Sequence, residues 1–322
     1  MEPNAIAIAP LNSQSSMSKV GIITGGCSGM GLAVAKVLNK NDPSWSLHLL
    51  DFNDEAAKTA LAEIPSAHYH KVDVTDYKAL GAVYEDVFKA DGKIDFVFAN
   101  AGIVERNNFY EIERAAGTSP PKAPNLSSLA VNLNGVINTT HLAMYYMRLS
   151  PHRGQGASII MTSSCGGIYP SDFSPVYSAS KAGVINFMRS VAPSLRQKDG
   201  IRTHAICPGT VRTNLLLPSE WAHFPASFFT PVSKIASTVA MLEQGGVDLV
   251  DSNGVKVPAG RDYGLAVEIN GENHYFREVL PWCDDAMRQV MEATSVDAQS
   301  KSFEEAKERG KAANAGGTRV EA

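Results

Sequence analysis

A chain of 322 residues, 44% hydrophobic and 19% charged, has the composition of a globular protein large enough to bury an extensive core. Its net charge of -4 offers no basic field for nucleic acid or an acidic membrane surface, and no apolar run reaches the length of a membrane span. The four cysteines, Cys27, Cys165, Cys207 and Cys283, form no Cys-x-x-Cys pair, so no zinc or other metal site and no disulfide framework is indicated, and a soluble cytoplasmic protein with reduced thiols is expected.

Residues 1–17 read as a flexible leader of Ser, Asn, Gln and Pro that lacks the basic start of a secretory signal. One domain is expected over 18–296, then a flexible, solvated tail over 297–322 rich in Lys, Glu, Gly and Ala. Short β-branched or apolar runs predict strands at 20–24, 46–50, 68–72, 96–100, 158–162, 203–207 and 266–269. Helical periodicity fills 31–39, 78–88, 129–148, 176–195 and 232–242. This alternation predicts an α/β fold, a doubly wound parallel sheet of about seven strands with helices on both faces. Ligands of such sheets lie beyond the carboxyl ends of the strands. Two segments interrupt the pattern. Residues 114–124, with Pro120, Pro121 and Pro124, predict an exposed loop, and about 212–232, with Trp221, Phe224, Phe228 and Phe229, predicts a lid.

The first strand runs into Thr24-Gly25-Gly26-Cys27-Ser28-Gly29-Met30-Gly31 and then a helix. Glycines there let the backbone approach a pyrophosphate while the helix offers unpaired N–H groups and the positive end of its dipole. Gly25, Cys27, Ser28, Gly29, Met30 and Gly31 are therefore candidate dinucleotide contacts; the plainer alternative is a tight strand-to-helix turn. Asp51, followed by Phe52, ends the second strand about twenty residues on, where a carboxylate accepts hydrogen bonds from a ribose diol and repels a 2′-phosphate. No basic residue at Gly26, Phe52 or Asn53 offsets that repulsion, so NAD is expected over NADP; capping the next helix is the other role open to Asp51, although Asn53 or Asp54 could take it instead. Asp73 and Val74 after the third strand, and Asn100, Ala101 and Gly102 after the fourth, gain weight from their place on the same edge.

Tyr177 and Lys181 stand four residues apart on a predicted helix and so share a face. An adjacent ammonium favours the phenolate and lowers a phenol from its usual value of about 10, making it usable as a base, although a surface Tyr–Lys pair has the same spacing. Ser163 and Ser164, at the end of the fifth strand, offer a hydroxyl for a substrate oxygen.

In this order, the glycine-rich 24–31 segment, Asn100-Ala101-Gly102, Asn132, Ser164, Tyr177-x-x-x-Lys181 and Pro208-Gly209 resemble the short-chain dehydrogenase/reductase family over roughly residues 19–270. The resemblance implies a single Rossmann-like domain. It assigns Tyr177 as general acid/base, Lys181 as the residue that lowers its pKa and holds the nicotinamide ribose, and Ser164, favoured over Ser163 by spacing, as donor to the substrate oxygen. Asn132 is implied as the anchor of a proton-relay water, with Asn134 as a decoy. Pro208, Gly209 and Thr213 are implied to contact the nicotinamide carboxamide, with Thr24, Ile103 and Val211 in the background. The implied activity is NAD-dependent interconversion of a secondary alcohol and a ketone. The aromatic lid favours a bulky apolar small molecule, such as a terpenoid, steroid-like, fatty or other secondary metabolite, although the same aromatics serve equally well to pack the lid or a subunit contact. The segment 264–284 is similar to 15-hydroxyprostaglandin-dehydrogenase-like members, fungal ones in particular. The family also implies a homodimer or homotetramer through the helices at 129–148 and 176–195. His141, His204 and His223 are read as structural. Two alternatives keep the fold: a cofactor-sensing regulator, and a non-redox biosynthetic enzyme.

Overall fold

The computed structural model describes residues 18–112, 119–222 and 224–315, so the 1–17 leader and His223 lie outside the described residues. In chain order the elements are β1 (Val20–Thr24), α1 (Gly29–Asn41), β2 (Ser46–Asp51), α2 (Asp54–Glu63), β3 (His68–Lys71), α3 (Tyr77–Asp91) and β4 (Phe96–Ala99). There follow α4 (Ser127–Leu129), which runs through a π-turn at Ala130–Asn134 into α5 (Gly135–Leu149), then β5 (Ser158–Thr162), α6 (Pro175–Asp199) and β6 (Arg202–Pro208). The chain continues through α7 (Pro218–Trp221), α8 (Val232–Gln244), β7 (Leu249–Val250), β8 (Lys256–Val257), β9 (Leu265–Asn270), β10 (Asn273–Arg277), α9 (Asp285–Ala293) and α10 (Val296–Ala315).

Eight strands form the main sheet in the order β10-β9-β6-β5-β4-β1-β2-β3. All neighbours are parallel except β10, which turns back on β9 through Gly271 at φ 55°. Alternation within strands builds two cores. Val97, Ala99, Ile159 and Met161 face Tyr84, Ala143, Val184 and Met188 of α3, α5 and α6. Phe96, Phe98 and Ile160 face Val34, Ala60 and Val239 of α1, α2 and α8. Runs apolar on both faces belong to buried parallel strands, as in β1, β4 and β5, while β3, His-Tyr-His-Lys, is half-exposed at the edge of the sheet opposite β10. The eighth, β10, reads Asn-His-Tyr-Phe-Arg and is only half-buried, as an edge strand allows.

The 114–124 loop is exposed without regular structure where described, over 119–124. The expected tail differs: Val296–Ala315 is helical, rich in the helix formers Ala, Glu and Lys, with its described side chains exposed. The compact body ends at Arg277 rather than at 296, and Glu278 opens a second unit. Within that unit, Asp284 caps α9 by accepting the Met287 N–H at 2.7 Å.

On the α3 face of β2 and β3, His48, His68 and His70 gather with Asp86 and Asp91 around a cavity of about 300 Å³. His48 is bonded through Nε2 to Asp91 at 3.0 Å and through Nδ1 to His70 Nε2 at 2.9 Å, and it stacks on His68 at 4.9 Å. Burial pushes His48 down from 6.5 to about 4 against the opposing pull of Asp91, and burial lowers His70 as well. A histidine depressed in the folded state binds fewer protons there than in the unfolded chain, so its contribution is intact above pH 6.5 and is lost as pH falls towards about 4. The urea midpoint is expected to fall across that window, and His48→Gln to flatten the fall; an unchanged slope in the variant rejects the assignment.

Candidate active site

The expected site residues stand after the carboxyl ends of β1 to β6, in the π-turn before α5 and on α6. The glycine loop turns at Gly25 (φ 62°) and Gly29 (φ 51°), a backbone region that favours glycine. A Cβ at Gly31 would collide with the Gly25 carbonyl, and one at Gly25 would lie 3.1 Å from Ala101 Cα. Gly29 faces Thr213, whose methyl would lie 3.3 Å from such a Cβ, so the segment after β6 reaches the loop. α1 begins at Gly29 with Ser28 as N-cap making no side-chain cap bond. The loop is therefore a cradle of bare backbone at a helix N-terminus, which fits the phosphates of a dinucleotide.

The Asp51 carboxylate lies against this loop and accepts the N–H groups of Cys27 at 3.2 Å and Asn53 at 3.1 Å. It does not cap α2; Asn53 does, accepting from Glu55 and Ala56. The Cys27 thiol is buried in the core and pushed up to about 12 by burial and by Asp51, so Cys27 serves the loop through its backbone alone. Phe52 is 71% exposed. Asp73 is exposed and turns its carboxylate onto Thr75, while Val74 is buried against Gly135. Pro208 ends β6, Gly209 is tied to Ile269 at 2.8 Å, and Val211 is buried.

Asn100 joins three strand ends: its side-chain amide donates to Thr24 O and Gly25 O, and its Oδ1 accepts from Thr162 Oγ1 at 3.0 Å. Thr24 Oγ1 accepts the N–H groups of Asn100 and Ala101. Asn132, fully buried in the π-turn, clamps Ile103 from both sides, accepting its N–H at 2.8 Å and donating to its carbonyl at 2.9 Å, and also reaches Ser180 Oγ at 3.2 Å. Such π-turns recur at functional sites because the extra residue reaims a side chain. The neighbouring Asn134 is exposed.

On α6, Lys181 is buried and donates from Nζ to the Thr162 carbonyl at 2.8 Å. Burial lowers it to about 8, so it remains mostly protonated at neutral pH. A Cβ on Gly102 would sit 3.2 Å from Asn132 Oδ1 and 3.5 Å from Lys181 Nζ, which puts both polar atoms beside one bare stretch of backbone. Ser163 Oγ is spent on the Lys181 carbonyl at 2.7 Å, while the half-buried Ser164 accepts the Gly166 N–H at 3.1 Å and lies with the Tyr177 ring about Gly166, where a Cβ would meet Ser164 Oγ and Tyr177 Cε1 alike at 3.6 Å. The phenol itself departs from expectation. Burial pushes Tyr177 up, the Ser164 hydrogen bond pulls it back, and Lys181, 5.7 Å from the ring centroid, is engaged by Thr162 instead of lowering it.

The lid of residues 211–229 has a closed neck, where Thr230 N–H donates to Thr210 O at 2.7 Å and Gly271 N–H donates to Thr230 Oγ1. Trp221, Phe224 and Phe229 pack on one another at 5.6 to 6.5 Å, with the Arg212 guanidinium 4.5 Å over Phe229. These aromatics therefore supply the lid's own core, while Phe228 is left 59% exposed. Sequence reasoning missed Glu105, whose carboxylate accepts the Tyr177 backbone N–H at 3.0 Å, and Thr162 as the anchor of Lys181. Neither pairing has a local sequence signal. Among the described residues no group of three or more His, Cys, Asp or Glu is arranged to hold a metal ion.

Residues 19–220 match the family model described as short chain dehydrogenase. This chain belongs to the short-chain dehydrogenase/reductase family. It is therefore a member of a family of oxidoreductases that act on CH–OH groups with a nicotinamide cofactor. A Penicillium rubens relative, short-chain dehydrogenase/reductase prx7, is 46% identical over 277 residues, covering 84% of this chain and 98% of that one. Mouse 15-hydroxyprostaglandin dehydrogenase [NAD(+)] is 34% identical over 205 residues, 62% of this chain and 69% of its own. Among solved structures, a Burkholderia cenocepacia short chain dehydrogenase in complex with NADP superposes with a TM-score of 0.63 at 22% identity, covering 79% of this chain and 98% of that one, a likeness of fold.

Proposed function

We propose that this family member is an NAD-dependent dehydrogenase that interconverts a secondary alcohol and a ketone on a bulky, largely apolar small molecule. The observation that carries the reading is the convergence of Tyr177, Ser164, Lys181 and Asn132 at the strand edge that also holds the glycine cradle. NAD bound on Gly25, Ser28, Gly29, Met30, Gly31 and Asp51 supplies the hydride acceptor or donor. In oxidation Tyr177 takes the hydroxyl proton, and in reduction it returns one to the oxygen. Ser164, which favours the phenolate of Tyr177, would orient that oxygen. The Lys181 ammonium supplies positive charge beneath the site, and Thr162 holds it in place. Asn132 fixes the backbone at Ile103 on which the Gly102 wall rests.

Support for NAD over NADP comes from the Asp51 carboxylate at the glycine loop and from relatives named as NAD(+) enzymes. The apolar substrate class rests on Phe228 and Leu217, which the lid leaves exposed, and on likeness to hydroxyprostaglandin dehydrogenases. Ser164, Tyr177 and Lys181 gathered at one strand edge favour chemistry over a purely cofactor-sensing role. Assembly as a homodimer or homotetramer through α5 and α6 is supported by Tyr145 and Leu149, which leave α5 55% and 52% exposed. No helix among the described residues is long and apolar enough to cross a membrane.

A panel of 2-octanol, 1-phenylethanol and a 3-hydroxysteroid with NAD is expected to yield reduced nicotinamide absorbance, and Tyr177→Phe to lose about a hundredfold or more of that turnover while binding NAD normally. Full turnover in Tyr177→Phe rejects the assignment. Asp51→Ser removes the repulsion of a 2′-phosphate and is expected to narrow the NAD preference about tenfold, read as the ratio of kcat/KM for the two cofactors. Sedimentation is expected to show dimer or tetramer at micromolar concentration; monomer alone refutes the assembly.

A further inference from the structure

The carboxylate on the Tyr177 backbone has a structural context that the proposed chemistry does not use. α6 carries Tyr177 in its first turn, yet its N-cap residue, Ser174, makes no side-chain cap bond. The N–H that such a cap would satisfy is that of Tyr177, and it is taken at 3.0 Å by Glu105, 72 residues earlier in the chain. A carboxylate at a helix N-terminus both satisfies the orphan donor and complements the dipole.

The residues flanking Glu105 are bonded in two other directions. Ile103 is held on both its N–H and its carbonyl by Asn132. Arg106 Nη1 donates to both carboxylate oxygens of Glu220 on α7, at 2.7 and 2.9 Å, and its Nη2 donates to the Leu215 carbonyl at 3.1 Å. Glu220 and Leu215 belong to the lid, which Trp221 Nε1 ties to the Thr213 carbonyl at 2.9 Å, and Thr213 in turn faces Gly29. Four consecutive residues thus link the π-turn, the first turn of the catalytic helix and the lid. One side of this strap faces a cavity of about 190 Å³ bounded by Ile103, Val104, Glu105, Arg106, Asn125 and Ser128. Close packing is absent on that side, so the polar bonds set the strap's position.

We propose that Glu105 is a positioning residue for Tyr177 and that Arg106 couples the lid to it, so that the seating of the substrate loop sets the placement of the proton-transfer group. This rests on the reading of Tyr177 as that group. Glu105→Ala leaves the Tyr177 N–H without its acceptor and lets the first turn of α6 shift. Small displacements of a reacting group cost heavily in rate. Glu105→Gln keeps an acceptor oxygen at the same reach.

The test uses the full chain with NAD and whichever of 2-octanol, 1-phenylethanol or the 3-hydroxysteroid wild type oxidises fastest. Glu105→Ala is expected to lower kcat about tenfold and move its pH dependence, with the Kd for NADH unchanged, and Glu105→Gln to recover most of the rate. Arg106→Ala is expected to raise the KM for the alcohol, and the Glu105→Ala, Arg106→Ala pair to cost less than the sum of the single changes, because the two act in one strap. Wild-type kcat and pH profile in Glu105→Ala overturn the proposal, as does an equal loss in Glu105→Gln and Glu105→Ala. If Glu105→Ala does not fold, Arg106→Ala decides, and an unchanged KM overturns the coupling. If none of the alcohols is oxidised, the pH titration of phenolate absorbance, taken as the difference from Tyr177→Phe, is read in Glu105→Ala and Arg106→Ala, and a midpoint unmoved in both overturns it. Turnover surviving in Tyr177→Phe defeats the proton-transfer reading separately, while a dead Tyr177→Phe beside an unaffected Glu105→Ala defeats the strap alone.

Discussion

The buried Lys181 ammonium is the constraint from which the site is organised. Taking a charge out of water is costly, and here the cost is offset by a 2.8 Å bond to the Thr162 carbonyl at the end of β5. That bond, with Ser163 Oγ reaching back to the Lys181 carbonyl, fixes the rotation and height of α6 against the sheet. Tyr177 lies one turn earlier on the same helix, so its direction follows. At Gly102 a Cβ would crowd Asn132 Oδ1 at 3.2 Å and come into ordinary contact with Lys181 Nζ at 3.5 Å, so the bare backbone passes close to both. Asn100 carries the same ordering across to β1 and the glycine loop.

The electrostatics follow from burial more than from the pairing that the sequence suggests. Spacing of four on a helix puts Tyr177 and Lys181 on one face, but their charges do not meet in a common bond. Burial moves both groups towards their neutral forms, the phenol upward and the ammonium down to about 8. Ser164 is the neighbour that favours the phenolate. A positive nicotinamide ring would act in the same sense as Ser164.

Much of this was legible in the sequence because it is written locally. Six of the seven expected strands are mainly runs of β-branched and apolar residues, β3 with its His-Tyr-His-Lys being the exception, and the glycine loop, Asp51, Asn100 and Ser164 follow directly from the ends of those runs. What was not legible depends on distant pairing or on competition among helix formers. β10 has no alternating apolar pattern and exists because β9 offers it an open edge. The π-turn that aims Asn132 leaves no mark in composition. The helix from Val296 to Ala315 shows that a charged, alanine-rich segment without an apolar stripe can still carry helical geometry on propensity. Glu105 belongs to the first group of failures, since nothing near it in sequence announces a bond to a backbone 72 residues away.

The lid's neck has a consequence for how such a scaffold diversifies. Both ends of residues 211–229 are stitched together at Thr210 and Thr230, and Thr230 is stitched again to the turn at Gly271. The intervening aromatics pack mostly on themselves. A stretch that enters and leaves the sheet through one fixed doorway is exchangeable: its length and residues can drift, or be grafted from another enzyme, while the doorway keeps the machinery beneath it in register.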